Sequence, residues 1–177
     1  MSLHASAVAA LIDWTAPDSA QDSLRHAVLA FLDARPDACR RECAPGHITA
    51  STLVLDHTGE HALLTLHPRV GRWLQLGGHC EEGDADIRAA ALREATEESG
   101  IEGLRVVVPA VDLDIHEVRP PKEEPHLHLD VRFVVLAPED AEVVGNHESQ
   151  ALRWVRPAEL AELGADDGLV RIHELRV

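Results

Sequence analysis

The chain has 177 residues, with 16 Lys and Arg against 31 Asp and Glu, for a formal net charge of −15. That length fits one domain with room for a short extension and a sizeable core. So acidic a surface repels nucleic-acid backbones and anionic membranes, which sets both aside as partners; a phosphorylated ligand would need cations or a few arginines to hold it.

Residues 3–14 and 19–34 read as helices. Ala5, Val8, Ala9, Leu11 and Ile12 give the first an apolar face, and Leu24, Ala27, Val28, Ala30, Phe31 and Leu32 give the second one. Pro17 parts the two and Pro36 closes the second. A polar connector, 36–46, follows. The three cysteines, Cys39, Cys43 and Cys80, make no disulfide framework. Cys39, Cys43 and His47 have a spacing that zinc could use; reduced thiols near a helix end are the simpler reading. No basic start followed by an apolar block opens the chain, and no apolar run is long enough for a bilayer, so a cytoplasmic location is expected.

From residue 47 the pattern changes. HITASTLVLD (47–56) and HALLTLH (61–67) read as strands joined by a His57-Thr58-Gly59 turn, a hairpin. RWLQLGG (72–78) is a short strand running into glycines. Residues 86–99 form a helix with Asp84 or Asp86 as N-cap and Gly100 just past its end. VDLDIHEV (111–118) and HLHLDVRFVV (126–135) alternate, with RPPKEEP (119–125) as the turn between them. One sheet face then carries Asp112, Asp114, His116, His126, His128, Asp130 and Arg132. Residues 151–156 are a last strand, 157–163 a short helix, and 167–176 a terminal helix or strand. Strands mixed with helices in this order give an α/β or α+β sandwich with a mixed sheet.

The chemistry is concentrated in GGHCEEGDADIRAAALREATEESGI (77–101). Glu94, Glu97 and Glu98 are spaced i, i+3, i+4, which places three like charges on one helical face and destabilises an isolated helix. A solvated acidic face is one explanation. A divalent cation is the other: Mg²⁺ and Mn²⁺ take carboxylate oxygens and leave positions for water and phosphate. Arg93 can orient one carboxylate through a paired hydrogen bond. Gly77-Gly78 allows a tight loop whose carbonyl approaches a cation, and Ala90, Ala91 and Ala95 let the helix lie close on the sheet.

This segment resembles the Nudix box, G-x5-E-x7-R-E-U-x-E-E-x-G-U with U apolar, the signature of Nudix hydrolases. Gly78 matches its first glycine, and Arg93, Glu94, Ala95, Glu97, Glu98, Gly100 and Ile101 match its second half without a gap. The first half departs: Asp84 stands where glutamate is expected, and eight residues rather than seven separate it from Arg93. The extra residue is placed in the loop before the helix, which leaves Asp84 and Asp86 both as candidates for the acidic position. RWLQLGGH resembles the family's W-x-x-P-G-G approach with Leu76 for proline, and NHESQALRWVRPAEL (146–160) resembles its late Trp-containing strand and Glu-Leu helix.

The resemblance implies an α/β/α sandwich with a mixed sheet at residues 46–177, preceded by a helical extension at 1–45 that either caps the domain or builds a homodimer. It implies hydrolysis of a nucleoside diphosphate linked to another group, with Mg²⁺ or Mn²⁺ held by Glu94, Glu97, Glu98 and the Gly77 carbonyl. Gly78, Arg93 and Asp84 orient the loop. The general base is Glu94 or Glu97, or Glu148 from a late loop, with Glu117, Glu123 and Glu124 as weaker rivals. Arg69, Arg72 and Arg132 are candidates for phosphate, and His79 follows the glycines directly. The strand bearing His128 and Arg132 lines the cleft in this family; a solvated face, or a second metal site using His116, His126 or His128, are its other readings. Trp73 is read as core, with stacking on a base as the alternative. The tyrosine associated with diadenosine polyphosphate hydrolases cannot be present in a chain without Tyr, and the proline of many ADP-ribose enzymes would fall near His116. The substrate stays open, nucleotides favoured. Two other functions share this fold: a module that senses a nucleotide without cutting it, and an isopentenyl-diphosphate-isomerase-like enzyme using a cleft cysteine, here Cys80.

Overall fold

The computed structural model describes the chain except residues 69, 70, 122, 146–150, 164–166 and 175–177, and except the side chains of 108–111, 157, 161, 167 and 172–174. Helix α1, Leu3–Ile12, starts at Ser2, whose side chain accepts from the Ala5 N–H, and α2, Ser19–Ala34, starts at Asp18, which accepts from Gln21. Helix α1 stops two residues before the expected end, and Trp14 beyond it turns inward, 5% exposed.

Strands β1 (Gly46–Leu55), β2 (Ala62–Leu66), β3 (Trp73–Leu74) and β4 (Leu76–His79) precede helix α3 (Ile87–Ser99). Strands β5 (Arg105–Val118), β6 (His126–Leu136) and β7 (Leu152–Val155) follow, then the short helices α4 (Pro157–Glu162) and α5 (Asp167–Glu174). The seven strands make one mixed sheet with the path β3-β2-β1-β6-β5, β4 pairing with β1 and β7 with β2. β1 runs parallel to β6, from Gly46 opposite Leu127 to Leu55 opposite Leu136, and antiparallel to β2 and β4. The 167–176 segment, left between helix and strand by its sequence, is helical where described.

Two expectations are corrected here. RWLQLGG is two strands: β3 pairs with β2, the chain breaks at Gln75, and β4 pairs with β1, Ser51 facing Gly77 and Ala50 facing Gly78. β5 begins at Arg105, six residues early, and its register with β6 slips between Val107 and Asp112. Pro109 lies in that slip; a proline gives the ladder no N–H and masks a strand from pattern reading.

β1 is buried along its whole length because both sheet faces are covered. On one face Ile48, Ala50, Leu129, Val131 and Phe133 pack with Ile87, Ala90 and Ala91 of α3 and with Leu11, Val28 and Leu32 of α1 and α2. On the other, Leu53, Leu55 and Val134 meet Leu160 of α4 and Leu169 of α5. The N-terminal helices are tied in by polar contacts too. Gln21, 3% exposed, donates to the Leu113 carbonyl at 3.0 Å and accepts from its N–H at 2.8 Å, and Ser6 Oγ accepts from the first N–H of α3, Ile87, at 3.0 Å.

Candidate active site

Helix α3 carries its acids against β4. Of the two candidate caps, Asp86 is the one used: its carboxylate accepts from the N–H groups of Arg88 and Ala89. Asp84 is free for another task. It accepts from Arg93 Nε at 3.0 Å and Nη2 at 3.1 Å, and from the Glu81 N–H at 2.7 Å, with its side chain 5% exposed. A shorter acid two residues before the cap thus reaches the arginine. The loop absorbs the extra residue, and the helix register from Arg93 to Glu98 is untouched.

Arg93 is the hub. Its Nη1 donates to Glu94 at 3.0 Å and Glu97 at 3.3 Å, and its Nη2 to the His79 carbonyl at 2.9 Å. One guanidinium therefore offsets carboxylates one turn apart and fixes the glycine strand to the helix, using the planar fork that a lysine lacks. Glu98, 7% exposed, accepts from the Gly77 N–H at 3.0 Å. Glu94 is largely covered and Glu97 half exposed, with side chains 13% and 54% accessible.

The two glycines are required for different reasons. A Cβ on Gly77, at φ 151°, would lie 2.4 Å from Ser51 Cα, whereas one on Gly78 would lie 2.8–2.9 Å from the Glu94 carboxylate. Backbone cannot move aside but a side-chain tip can. Gly77→Ala is expected to cost about 3 kcal/mol of stability. Gly78→Ala is expected to fold with little loss and to lower activity by pushing Glu94 out of place. Thermal melts and steady-state rates of the two variants check this; a Gly78→Ala enzyme with full activity would show that the position of Glu94 is not critical. The hard carboxylate oxygens that Glu94, Glu97 and Glu98 bring beside the glycine strand fit a divalent ion of the Mg²⁺ or Mn²⁺ kind.

The polar sheet face lies on the other side of β1 from α3. Ladder register places Asp112 opposite Arg132, Asp114 opposite Asp130 and His116 opposite His128, so the seven side chains expected on one face share it. That face is not simply solvated. Asp130, 2% exposed, accepts from Thr49 at 2.8 Å, Ser51 at 2.6 and 2.5 Å, Gln75 at 3.4 Å and Arg132 at 3.1 Å. Arg132, 2% exposed, also pairs with Asp114 at 3.1 Å and Asp112 at 3.5 Å, and Asp112 in turn takes Arg171 of α5 at 2.8 Å. The guanidinium of Arg132, one of the candidates for phosphate, is enclosed by three carboxylates.

Beside this network, five imidazoles converge: His47 on β1, His79 on β4, His126 and His128 on β6 and His116 on β5. Burial first, then the neighbouring rings of His79 and His126, push His47 down to about 4, although the Cys43 carbonyl slightly favours a proton there. Burial and the surrounding histidines take His128 down to about 3, and burial lowers His79. His116 moves up instead, because Asp114 accepts from its ring at 2.7 Å.

The structure thus brings Gly77, Gly78, Asp84, Arg93, Glu94, Glu97 and Glu98 together, and puts His79 and His128 in the histidine cluster. Arg72 is exposed just before β3. Arg69 and Glu148 lie outside the described residues. Glu117 pairs with Arg119 and Glu123 with Arg41 on the surface. Trp73 is partly buried against the Leu53–Leu55 cluster, the core reading. Cys39, Cys43 and Cys80 are buried free thiols; burial pushes Cys39 up to about 11 and Cys80 further. His47 gathers with His126 and His128, not with the cysteines. Sequence reasoning missed Thr49, Ser51, Gln75 and Arg171. The first two were visible as polar residues alternating along a buried strand with His47. A cavity of about 300 Å³ between Asp56, His61, Ala137 and Trp154 sits at the far end of β1, and no box acid lines it.

The NUDIX domain family matches residues 45–174. The chain belongs to that family. It is a hydrolase of the acid-anhydride class, and its N-terminal helices precede the matched region. Similar solved structures include a NUDIX-family hydrolase from Clostridium perfringens, 23% identical, covering 73% of this chain and 97% of that one with a TM-score of 0.53. Another is the Escherichia coli dihydroneopterin triphosphate pyrophosphohydrolase, 18% identical over 72% of this chain and 92% of that one, TM-score 0.57. A third is the NUDIX domain of Shewanella oneidensis NrtR complexed with ADP ribose, 17% identical over 72% and 84%, TM-score 0.52. At these identities the likeness is one of fold. No curated protein matches the chain. No helix among the described residues is long and apolar enough to cross a membrane.

Proposed function

We propose that this hydrolase cleaves the diphosphate bond of a nucleoside diphosphate linked to another group, by attack of water on phosphorus. The observation that carries the reading is the Arg93 hub, which holds Asp84, Glu94 and Glu97 around the glycine strand while Glu98 clamps Gly77. Glu94, Glu97, Glu98 and the Gly77 carbonyl would hold Mg²⁺ or Mn²⁺. Bound there, such an ion neutralises a diphosphate and acidifies a bound water. The protein's own residues do the rest. Arg93 keeps the carboxylates apart and aimed, β4 presents its backbone at the site, and a carboxylate takes the proton of the attacking water: Glu94 or Glu97, or Glu148 of the late segment. The exposed Arg72, with Arg69, supplies cationic contact for phosphate in an acidic protein; Arg132, enclosed as it is, we assign to support of the sheet face. The polar face bearing His79 and His128 borders the substrate, and residues 1–45 act as a cap on α3.

ADP ribose in one structural relative and a triphosphate pyrophosphohydrolase as another direct the choice of substrates. The test is product release from nucleoside triphosphates, ADP-ribose, nucleotide sugars, NADH and coenzyme A, with and without Mg²⁺ or Mn²⁺. Metal-dependent cleavage of one class is expected. Binding without cleavage across the panel would replace this reading with a sensing module, against which the full set of box acids argues. The isomerase alternative is disfavoured by Cys80, which is 7% exposed in the core with its thiol pushed up, a poor proton donor to a cleft.

A further inference from the structure

We propose that His47, His126 and His128 form a binding site for one transition-metal ion of the zinc type, built from different residues than the box carboxylates. One ligand nitrogen from each lies within 4.8 Å of the others. Ring centres are 5.0 Å apart for His47 and His126, 4.9 Å for His47 and His128, and 5.6 Å for His126 and His128. A tetrahedral zinc with bonds of about 2.05 Å, plus about 1.1 Å from nitrogen to ring centre, separates ligating rings by about 5 Å. The rings already stand at that spacing.

The second observation is what the nitrogens lack. His47 is 1% exposed, and neither of its ring nitrogens meets hydrogen-bond geometry among the described residues, the Cys43 carbonyl being only a weak influence on the ring; Nε2 of His128 has no partner either. Leaving a buried polar atom unmet costs about 1–3 kcal/mol, so an unmet nitrogen on each of two neighbouring buried rings, His47 and His128, is expensive unless an electrophile lies between them. The third ligand is set up for the role. His126 Nδ1 is 3.0 Å from the Glu124 carbonyl, which fixes the tautomer and leaves Nε2 for a metal, the usual outer support of a ligating histidine.

The donor set decides the ion. Three imidazoles without a carboxylate suit zinc and its neighbours and suit Mg²⁺ poorly, whereas the box offers only oxygen. Three protein ligands leave a fourth position. His79, with its ring 5.0 Å from His47 and 5.2 Å from His128, borders it. His79 is also the residue whose carbonyl Arg93 holds, so β4 connects the two sites.

The test uses tag-free full-length protein stripped with chelator. Zinc binding is measured by calorimetry, and Co²⁺ is used as a visible probe of tetrahedral nitrogen coordination. Expected are about one equivalent of zinc, a tetrahedral Co²⁺ spectrum and a rise in melting temperature with zinc, all retained in Glu98→Gln. Half-exposed His126→Gln and His128→Gln are expected to weaken zinc binding by at least about tenfold while their metal-free melts still show a folded protein. Absence of a saturable equivalent in the wild type overturns the proposal. So does a Co²⁺ site that survives both histidine variants or disappears in Glu98→Gln, which would place the ion at the box. Because no substrate is involved, failure here leaves the hydrolase reading standing, and the converse holds.

Discussion

Glu98→Gln is expected to lower kcat by about 10²–10³-fold, the range for removing one group that stabilises charge in a transition state, with little change in melting temperature. The structure makes this substitution unusually clean. Glu98 is 7% exposed and its carboxylate accepts from the Gly77 N–H at 3.0 Å. Glutamine has the same length and keeps an acceptor oxygen, so the clamp between α3 and β4 survives. What is lost is the negative charge that a divalent ion would use. Steady-state rates on the cleaved substrate, beside a thermal melt, separate the two effects. Raising Mg²⁺ or Mn²⁺ should recover part of the rate, as weakened metal affinity requires. A variant within tenfold of wild type at low metal would remove Glu98 from the proposed ligand set and leave it a fold residue.

The same residue shows what a sequence discloses. The i, i+3, i+4 spacing of Glu94, Glu97 and Glu98 puts them on one face of any helix, and the small Ala90, Ala91 and Ala95 beside them announce close packing, which the structure has. Strand alternation predicted the shared face of β5 and β6 residue by residue, because the period of two is a property of the backbone. What depended on neighbours far along the chain was not readable. Asp84 and Asp86 are chemically equivalent as text; only the distance to Arg93 separates cap from partner. Pro109 hid the first half of β5. The break at Gln75, which sends β3 to β2 and β4 to β1, follows from which strands are available to pair. Gln21, bonding both backbone groups of Leu113, looks like any polar helix residue. A solvated polar face stayed open as one reading because the alternation gives no sign that α5 lies over Asp112.

Arg132 is where that gap is widest, and its replacement by methionine is expected to have the largest effect on stability. Removing one partner of a buried ionic cluster costs about 3–5 kcal/mol. Arg132 and Asp130 are each 2% exposed and Asp112 is fully buried. Methionine fills similar space and carries no charge, so the loss would be electrostatic rather than a cavity. Asp130 keeps its Thr49 and Ser51 hydroxyls and Asp112 keeps Arg171, which should hold the cost near the lower end. At about 2–4 °C per kcal/mol for a chain of this size, the melting temperature should fall on the order of 10 °C. A phosphate-binding arginine would behave differently: KM would rise and the melt would hardly move. If Arg132→Met melts like the wild type and loses only substrate affinity, the guanidinium serves the ligand after all, and the three carboxylates around it are the walls of the binding cleft.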